Sequence, residues 1–245
     1  MTLTILELKF NYYGNENTYY PVVLRNDKEL ILVDCGNPGF MPLIQEAMQQ
    51  QGLSLEQLTG IIITHCDVDH LGALYDIKQQ FPNIKVYSSA GQKEYIEGRE
   101  KSPRLVQAES MEDTLPEDRK EAASKFIATI KAIKPVQVDA VFEDNDTPAL
   151  LPGVQIIYTP GHMPAHISLY IKDSRTLIAA DALVVESGHL EIANPQFTIN
   201  IQEAMDSVKR IAQLETDKVI CYHGGVIDKN INEQLNNIIT KYAEA

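Results

Sequence analysis

Two β-sheets held between layers of helix is the architecture this sequence predicts, and three features lead there. Short apolar runs of strand length alternate with longer helix-periodic segments along the chain. Each half supplies its own set of both, which favours two sheets over one. Residues with metal-ligand chemistry recur where strand runs give way to loops, the concave edge at which αβ folds assemble their sites. The chain has 245 residues, 44% of them hydrophobic, enough to bury a substantial core as a single domain over 1–245.

The elements follow in order. Tyr19 to Leu24 and Leu30 to Val33 read as paired strands around the turn Arg25-Asn26-Asp27-Lys28. The second run leads into Asp34-Cys35-Gly36-Asn37-Pro38-Gly39, a loop that sets Asp34 at a strand's C-terminal edge. Met41 to Gln51 has helical spacing at Leu43, Ala47 and Met48 and stops at Gly52. A strand over Gly60–Thr64, a helix over Ala73–Gln80 that ends before Phe81-Pro82, and a strand at Lys85-Val86-Tyr87 come next. Residues 91–135 are charged and helix-prone, and Pro103 and Pro116 break them into two or three helices. That insert is too thin in apolar residues to stand alone. It is expected to wall or lid a substrate site, the alternative being surface decoration. Strands over Gln155–Tyr158, Ser168–Ile171, Thr176–Ala180 and Lys218–Cys221 and amphipathic helices over Ile201–Leu214 and Asn230–Tyr242 complete the chain.

Charge narrows the partners. Lys and Arg number 21 against 34 Asp and Glu, a net charge of −13, which argues against nucleic acid and anionic membrane because phosphate binding wants a basic face. No stretch approaches the ~20 apolar residues of a membrane span, and without a basic stretch followed by an apolar block at Met1-Thr2-Leu3-Thr4 no signal peptide is expected. The three cysteines, Cys35, Cys66 and Cys221, are odd in number and scattered, so a reducing cytoplasm is expected and a disulfide scaffold is not. A small molecule is the partner that remains, with a homodimer left open.

The chemistry concentrates in Thr64-His65-Cys66-Asp67-Val68-Asp69-His70, directly after Ile61-Ile62-Ile63. Four metal-ligand side chains, His65, Asp67, Asp69 and His70, stand there at the end of a buried strand. Burying unpaired carboxylates costs several kcal/mol each unless a cation compensates, and imidazole with carboxylate is a donor set for Zn²⁺, Mn²⁺ or Fe. Three more candidates sit at later strand ends: His162 after Pro160-Gly161, Asp181 after Leu177–Ala180, and His223 before Gly224-Gly225.

Leu32-Val33-Asp34-Cys35-Gly36, the histidine-aspartate cluster, Gly161-His162, Asp181 and His223, in that order, resemble the metallo-β-lactamase superfamily over nearly the whole chain. The resemblance implies a four-layer αββα sandwich and a binuclear site. One metal would take His65, Asp67 and His162, the other Asp69, His70 and His223, with Asp181 bridging. It further implies hydrolysis, with hydroxide generated on two divalent metals attacking a small ester, lactone or thioester and Asp69 carrying the proton. The family's first motif is usually His-x-His-x-Asp-His, and here Asp67 stands at the third position. A harder oxygen donor shifts the expected metal from Zn²⁺ toward Mn²⁺ or Fe, and the first metal could be weakly held. A non-catalytic metal-binding or ligand-sensing protein on the same fold is therefore the competing expectation. Asp34 is expected to orient a ligand histidine.

Other polar residues are given structural roles. His166 is expected to hydrogen-bond, His189 to lie in a solvated turn, and the cysteines to fill space. Tyr158 and Tyr222 have nothing in the sequence to aim them at a site. Val184 stands where lactonases of the superfamily often carry Tyr, which lowers a lactonase reading. An anionic thioester of the glyoxalase II kind would need basic residues, and Lys93, Arg99, Lys101 and Arg104 in the insert are the local supply.

Overall fold

The computed structural model describes residues 1–12 and 14–243. The first half runs β1 (Thr2–Ile5), the hairpin β2 (Leu8–Tyr12) and β3 (Asn15–Tyr19), then β4 (Val22–Arg25) and β5 (Leu30–Val33). Helix α1 (Met41–Gln50) leads to β6 (Gly60–Ile62), the single turn α2 (Val68–Leu71), α3 (Leu74–Gln80) and β7 (Lys85–Ser89). The insert forms α4 (Ala90–Ile96), α5 (Pro103–Glu112) and α6 (Glu117–Lys131) before β8 (Ala140–Phe142). The second half runs β9 (Val154–Tyr158), β10 (Ile167–Ile171), β11 (Thr176–Ala180), the hairpin β12 (Val184–Glu186) and β13 (His189–Glu191), α7 (Ile201–Ile211), β14 (Lys218–Cys221), β15 (Gly225–Ile227) and α8 (Ile231–Ala243).

Two large sheets result, one ordered β1-β4-β5-β6-β7-β8 and the other β15-β14-β11-β10-β9, with β2-β3 and β12-β13 as separate two-stranded hairpins. In the first, β5 to β8 are parallel, so helical crossovers must join them. Strand alternation then builds the layers. Leu32, Ile61 and Ile63 face one way and pack with Ile44 and Met48 of α1 and Leu74 and Ile77 of α3. Their neighbours Ile31, Val33 and Ile62 face the other way, where they meet Ile156, Leu169, Ile178 and Ile220 of the second sheet. Beyond that sheet, Leu177, Ala179 and Val219 pack on Val208 of α7 and Leu235 of α8. The order is helix, sheet, sheet, helix. Because both faces of each sheet are covered, the central strands read as continuous apolar runs. Cutting Ile62, 0% exposed, back to Ala would cost about 2–5 kcal/mol.

The expected elements form with modest shifts. The strand expected from Tyr19 begins at Val22. Tyr19 closes the β2–β3 hairpin, and Tyr20 turns its N–H to the Tyr222 carbonyl of the other sheet at 3.0 Å. The run over Gly60–Thr64 leaves the ladder early because the Thr64 N–H goes to Asp34. The insert is three helices. Pro103 and Pro116 stand at helix starts, where a missing N–H costs nothing, and Ser102 Oγ accepts from Leu105 N–H at 3.2 Å. Strands β1, β2, β3, β8, β12, β13 and β15 have no counterpart in the sequence reading. They are short and several are largely exposed, so no buried run or clean alternation marks them.

Candidate metal centre

The site begins with a carboxylate. Asp34 leaves β5 with φ +62, a left-handed turn open to Asp more than to most residues. Its Oδ1 accepts the Thr64 N–H at 2.8 Å and its Oδ2 accepts the Thr64 hydroxyl at 2.8 Å. His70 Nδ1 is 2.8 Å from the same Oδ2, and His65 Nδ1 is 3.0 Å from the Thr64 hydroxyl oxygen. With the Thr64 proton committed to Asp34, the Thr64 oxygen can only accept from His65 Nδ1–H. In their neutral forms both histidines are thereby held with the proton on Nδ1, leaving the Nε2 lone pair for a ligand or a second proton. Those two Nε2 atoms and Asp181 Oδ1 are buried and make no hydrogen bond. Such a set fits a cation.

The second sheet supplies the rest. Gly161 has φ +129, and a Cβ there would stand 2.1 Å from Ala204 N, so only glycine lets α7 pack this close to the His162 turn. After β11 a register shift beside β14 and φ +47 at Ala180 turn the chain at Asp181. Gly224 has φ +87 and would carry a Cβ 2.1 Å from the Val185 carbonyl oxygen, which is why His223 is followed by a residue without one.

All seven side chains predicted from the sequence converge. His162 Nε2 lies 3.0 Å from Asp67 Oδ2 and 3.5 Å from Asp181 Oδ2. His65 Nε2 is 3.6 Å from Asp67 Oδ2, and His70 Nε2 is 3.3 Å from Asp181 Oδ1. His223 Nε2 is 3.2 Å from Asp69 Oδ2 and 3.4 Å from Asp181 Oδ2. Three sets each gather their donor atoms within 4.8 Å: His65, Asp67 and His162; His65, His70 and Asp181; and Asp69, His70 and His223. Such donors fit a divalent ion of the zinc, manganese or iron type.

The electrostatics point the same way. Burial alone would lower His70, yet Asp181, Asp34 and Asp69 raise it well above the usual imidazole value. His223 is raised to about 10, again against burial, by Asp181 and Asp69. Burial would raise Asp181, but His223 and His70 hold it well below the carboxylate range. Protons here answer a demand for positive charge that a metal would also meet.

His166 takes the structural role expected of it. It accepts the Asp181 N–H at Nε2, 3.2 Å, and reaches the Thr159 hydroxyl with Nδ1, 2.9 Å, bracing the loop that carries Asp181. Asp34 orients His70, as expected. His189 is exposed beside the β12–β13 turn, and Tyr158 donates its hydroxyl to Phe142 O at 2.7 Å, away from the cluster. Tyr222 matters more than the sequence suggests, because its hydroxyl donates to Asp69 O at 2.7 Å and ties down the turn that carries Asp69 and His70. Cys35, Cys66 and Cys221 are free and buried.

One residue of the site is not marked as such in the sequence. Arg104 figures there only among the insert's bases, but its guanidinium reaches Asp67 with both arms, Nε to Oδ1 at 3.0 Å and Nη2 to Oδ2 at 2.6 Å. Against the pull of burial, Arg104 with His162 and His65 holds the Asp67 carboxyl well below its ordinary range. The available signal is Asp67 itself, a carboxylate in a histidine's place. The other three bases do not gather at the site, since Lys93, Arg99 and Lys101 pair with Glu97, Glu94 and Glu109.

Above the cluster opens a cleft of about 720 Å³. Phe10, Tyr19 and Phe40, whose rings pack together, line it along with Phe126 of α6 and Phe197. Asp69, with a side chain 21% exposed, and His223, 33% exposed, are the members of the cluster that meet solvent.

A family model described as the metallo-beta-lactamase superfamily matches residues 16–223. The probable metallo-hydrolase YflN of Bacillus subtilis (strain 168) is 27% identical over 245 residues, covering 92% of this chain and 87% of that protein. The probable metallo-hydrolase MJ0888 of Methanocaldococcus jannaschii is 25% identical over 224 residues, 91% of this chain and 94% of its own. Among solved structures, the metallo-beta-lactamase family protein TTHA1429 from Thermus thermophilus superposes with a TM-score of 0.74 at 19% identity, covering 99% of this chain and 79% of that one.

Proposed function

Because the chain belongs to the metallo-beta-lactamase superfamily, we propose that it is a metal-dependent hydrolase of a small ester, lactone or thioester carrying an apolar group. The observation that carries this reading is the pair of buried, unpartnered Nε2 atoms on His65 and His70 at the base of an aromatic-walled cleft. Relatives named as metallo-hydrolases support hydrolysis in general.

Asp69, His70, Asp181 and His223 would hold a divalent cation, and His65, Asp67 and His162 are the family's positions for a second. When bound, such cations supply Lewis acidity and lower the pKa of water from 15.7 toward about 7. The chain's own residues do the rest. Asp69 Oδ2, partly open to the cleft and 3.2 Å from His223 Nε2, would take a proton from the attacking water and return it to the leaving group. Phe10, Phe40, Phe126 and Phe197 would hold an apolar acyl chain and keep bulk water from it. Residues of the insert, Phe126 and Lys125 among them, stand in that wall, which supports the substrate-wall role over decoration.

A metal-binding sensor without turnover is the second reading, favoured by the ion pair that Asp67 makes with Arg104. Protein purified without chelator and assayed with Zn²⁺, Mn²⁺ or Fe²⁺ against esters, lactones and thioesters separates the two. Turnover that Asp69→Asn abolishes is expected. A folded, metal-loaded protein inert to the whole panel leaves the sensor. A cytoplasmic setting belongs to the same proposal and is supported by three free, buried cysteines. Among the described residues no helix is long and apolar enough to cross a membrane.

A further inference from the structure

We propose that Arg104 is a built-in replacement for one of the two cations, so that the chain binds a single divalent metal tightly at Asp69, His70, Asp181 and His223. The inference rests on the metal-dependent reading above and refines it.

The guanidinium stands on the donor side of the first set. Nη2 is 2.6 Å from Asp67 Oδ2 and 3.3 Å from His162 Nε2, the two atoms that, with His65 Nε2, a metal at this set would need. Planar two-armed pairing matches guanidinium to carboxylate, and a histidine at 67 could not accept it. The departure from the family motif and the arginine on a distant helix therefore explain each other. One supplies the negative partner, the other the positive charge that the motif's metal would have brought.

The arrangement is secured from outside the cluster. Arg104 is the second residue of α5, a ten-residue helix started by Pro103 and capped by Ser102. Nη1 donates to Gln107 Oε1 at 2.6 Å, and Gln107 Nε2 in turn donates to Gln196 O at 3.3 Å. The Phe197 ring lies 5.7 Å from the guanidinium carbon. Only 4% of the Arg104 side chain and 9% of Asp67 is exposed. A metal entering the first set would break a buried, doubly hydrogen-bonded pair and leave a guanidinium beside a dication with no carboxylate to face, both strongly unfavourable. The second set carries no such guest. It has Asp69, His70 and His223, with the unpartnered Asp181 Oδ1 3.3 Å from His70 Nε2.

Metal stoichiometry tests this without reference to turnover. Metal-free protein is titrated with Co²⁺ by visible absorption and with Zn²⁺ by native mass spectrometry. The wild type is expected to saturate at one equivalent, with any second about a hundredfold weaker or more. Arg104→Met is expected to bring the second equivalent within about tenfold of the first, while Arg104→Lys, which keeps the charge, stays nearer the wild type. The wild-type titration is decisive even if Arg104→Met does not fold. Two equivalents of similar affinity in the wild type overturn the inference and leave the hydrolase reading standing. An Arg104→Met protein that folds and still stops at one equivalent also overturns it. Failure of the wild type to take up any metal overturns the metal-dependent reading along with this one.

Discussion

Asp34 Oδ2 lies 2.8 Å from His70 Nδ1, and through Thr64 the same carboxylate sets the tautomer of His65 as well. One acidic side chain at the end of β5 thus orients two histidines of the cluster on the segment after β6. Asp34→Ala is expected to weaken divalent-metal affinity by about 10–100-fold, read by competition with a chromophoric chelator. A change below about threefold would show that the histidines orient themselves.

Gly161 bears on His162 through backbone geometry. Gly161→Ala forces a Cβ to within 2.1 Å of Ala204 N at φ +129, and it should cost about 2 kcal/mol or more. Urea unfolding of the metal-free protein measures this. An unchanged midpoint would mean that α7 can shift away.

Tyr222→Phe removes the hydroxyl that donates to Asp69 O at 2.7 Å but keeps the ring against His70, 4.1 Å between centroids. A loss of about 1 kcal/mol is expected in metal-free stability, whereas a stable Tyr222→Ala protein would contradict the role given to the ring.

Asp139 provides a pH test remote from the cluster. It accepts from Lys85 Nζ and Val86 N–H, each at 2.9 Å. Partial burial would raise its carboxyl, but these bonds, Lys85 first, bring it below its ordinary value. A carboxyl depressed in the folded state adds stability above its unfolded pKa of about 3.9 and loses it as pH falls through the folded value. Asp139→Asn should therefore be less stable than wild type at pH 7, by about 1 kcal/mol at most given its solvent exposure. The gap should close below about pH 3.9, and a constant gap across that range would refute the linkage.

Phe126 tests the insert as a substrate wall. Phe126→Ala should raise KM roughly tenfold for esters with larger apolar acyl groups and little for acetyl esters, measured by steady-state kinetics across a chain-length series. Equal effects on both would remove the insert from recognition.

Much of this is open to reading in one dimension. Continuous runs such as Leu30–Val33 and Thr176–Ala180 mark strands covered on both faces, because burial demands apolar residues at every position. The insert's helices are marked by Pro103 and Pro116, whose ring geometry acts locally. The seven clustered donors are visible because each stands on the stretch of chain that follows a buried strand. The exposed strands β2 and β13 leave no such trace, since nothing buries enough of their side chains to constrain composition.

What the chain by itself determined was which residues want a cation, because ligand chemistry belongs to the side chain and needs no partner to be recognised. Tertiary structure alone decided where that charge comes from. Asp67 and Arg104 are separated in sequence by α2, α3, β7 and α4, and only folding brings them to 2.6 Å. The physical reason is that a carboxylate satisfies its charge with whatever positive group packing delivers, and spacing along the backbone carries no record of that delivery.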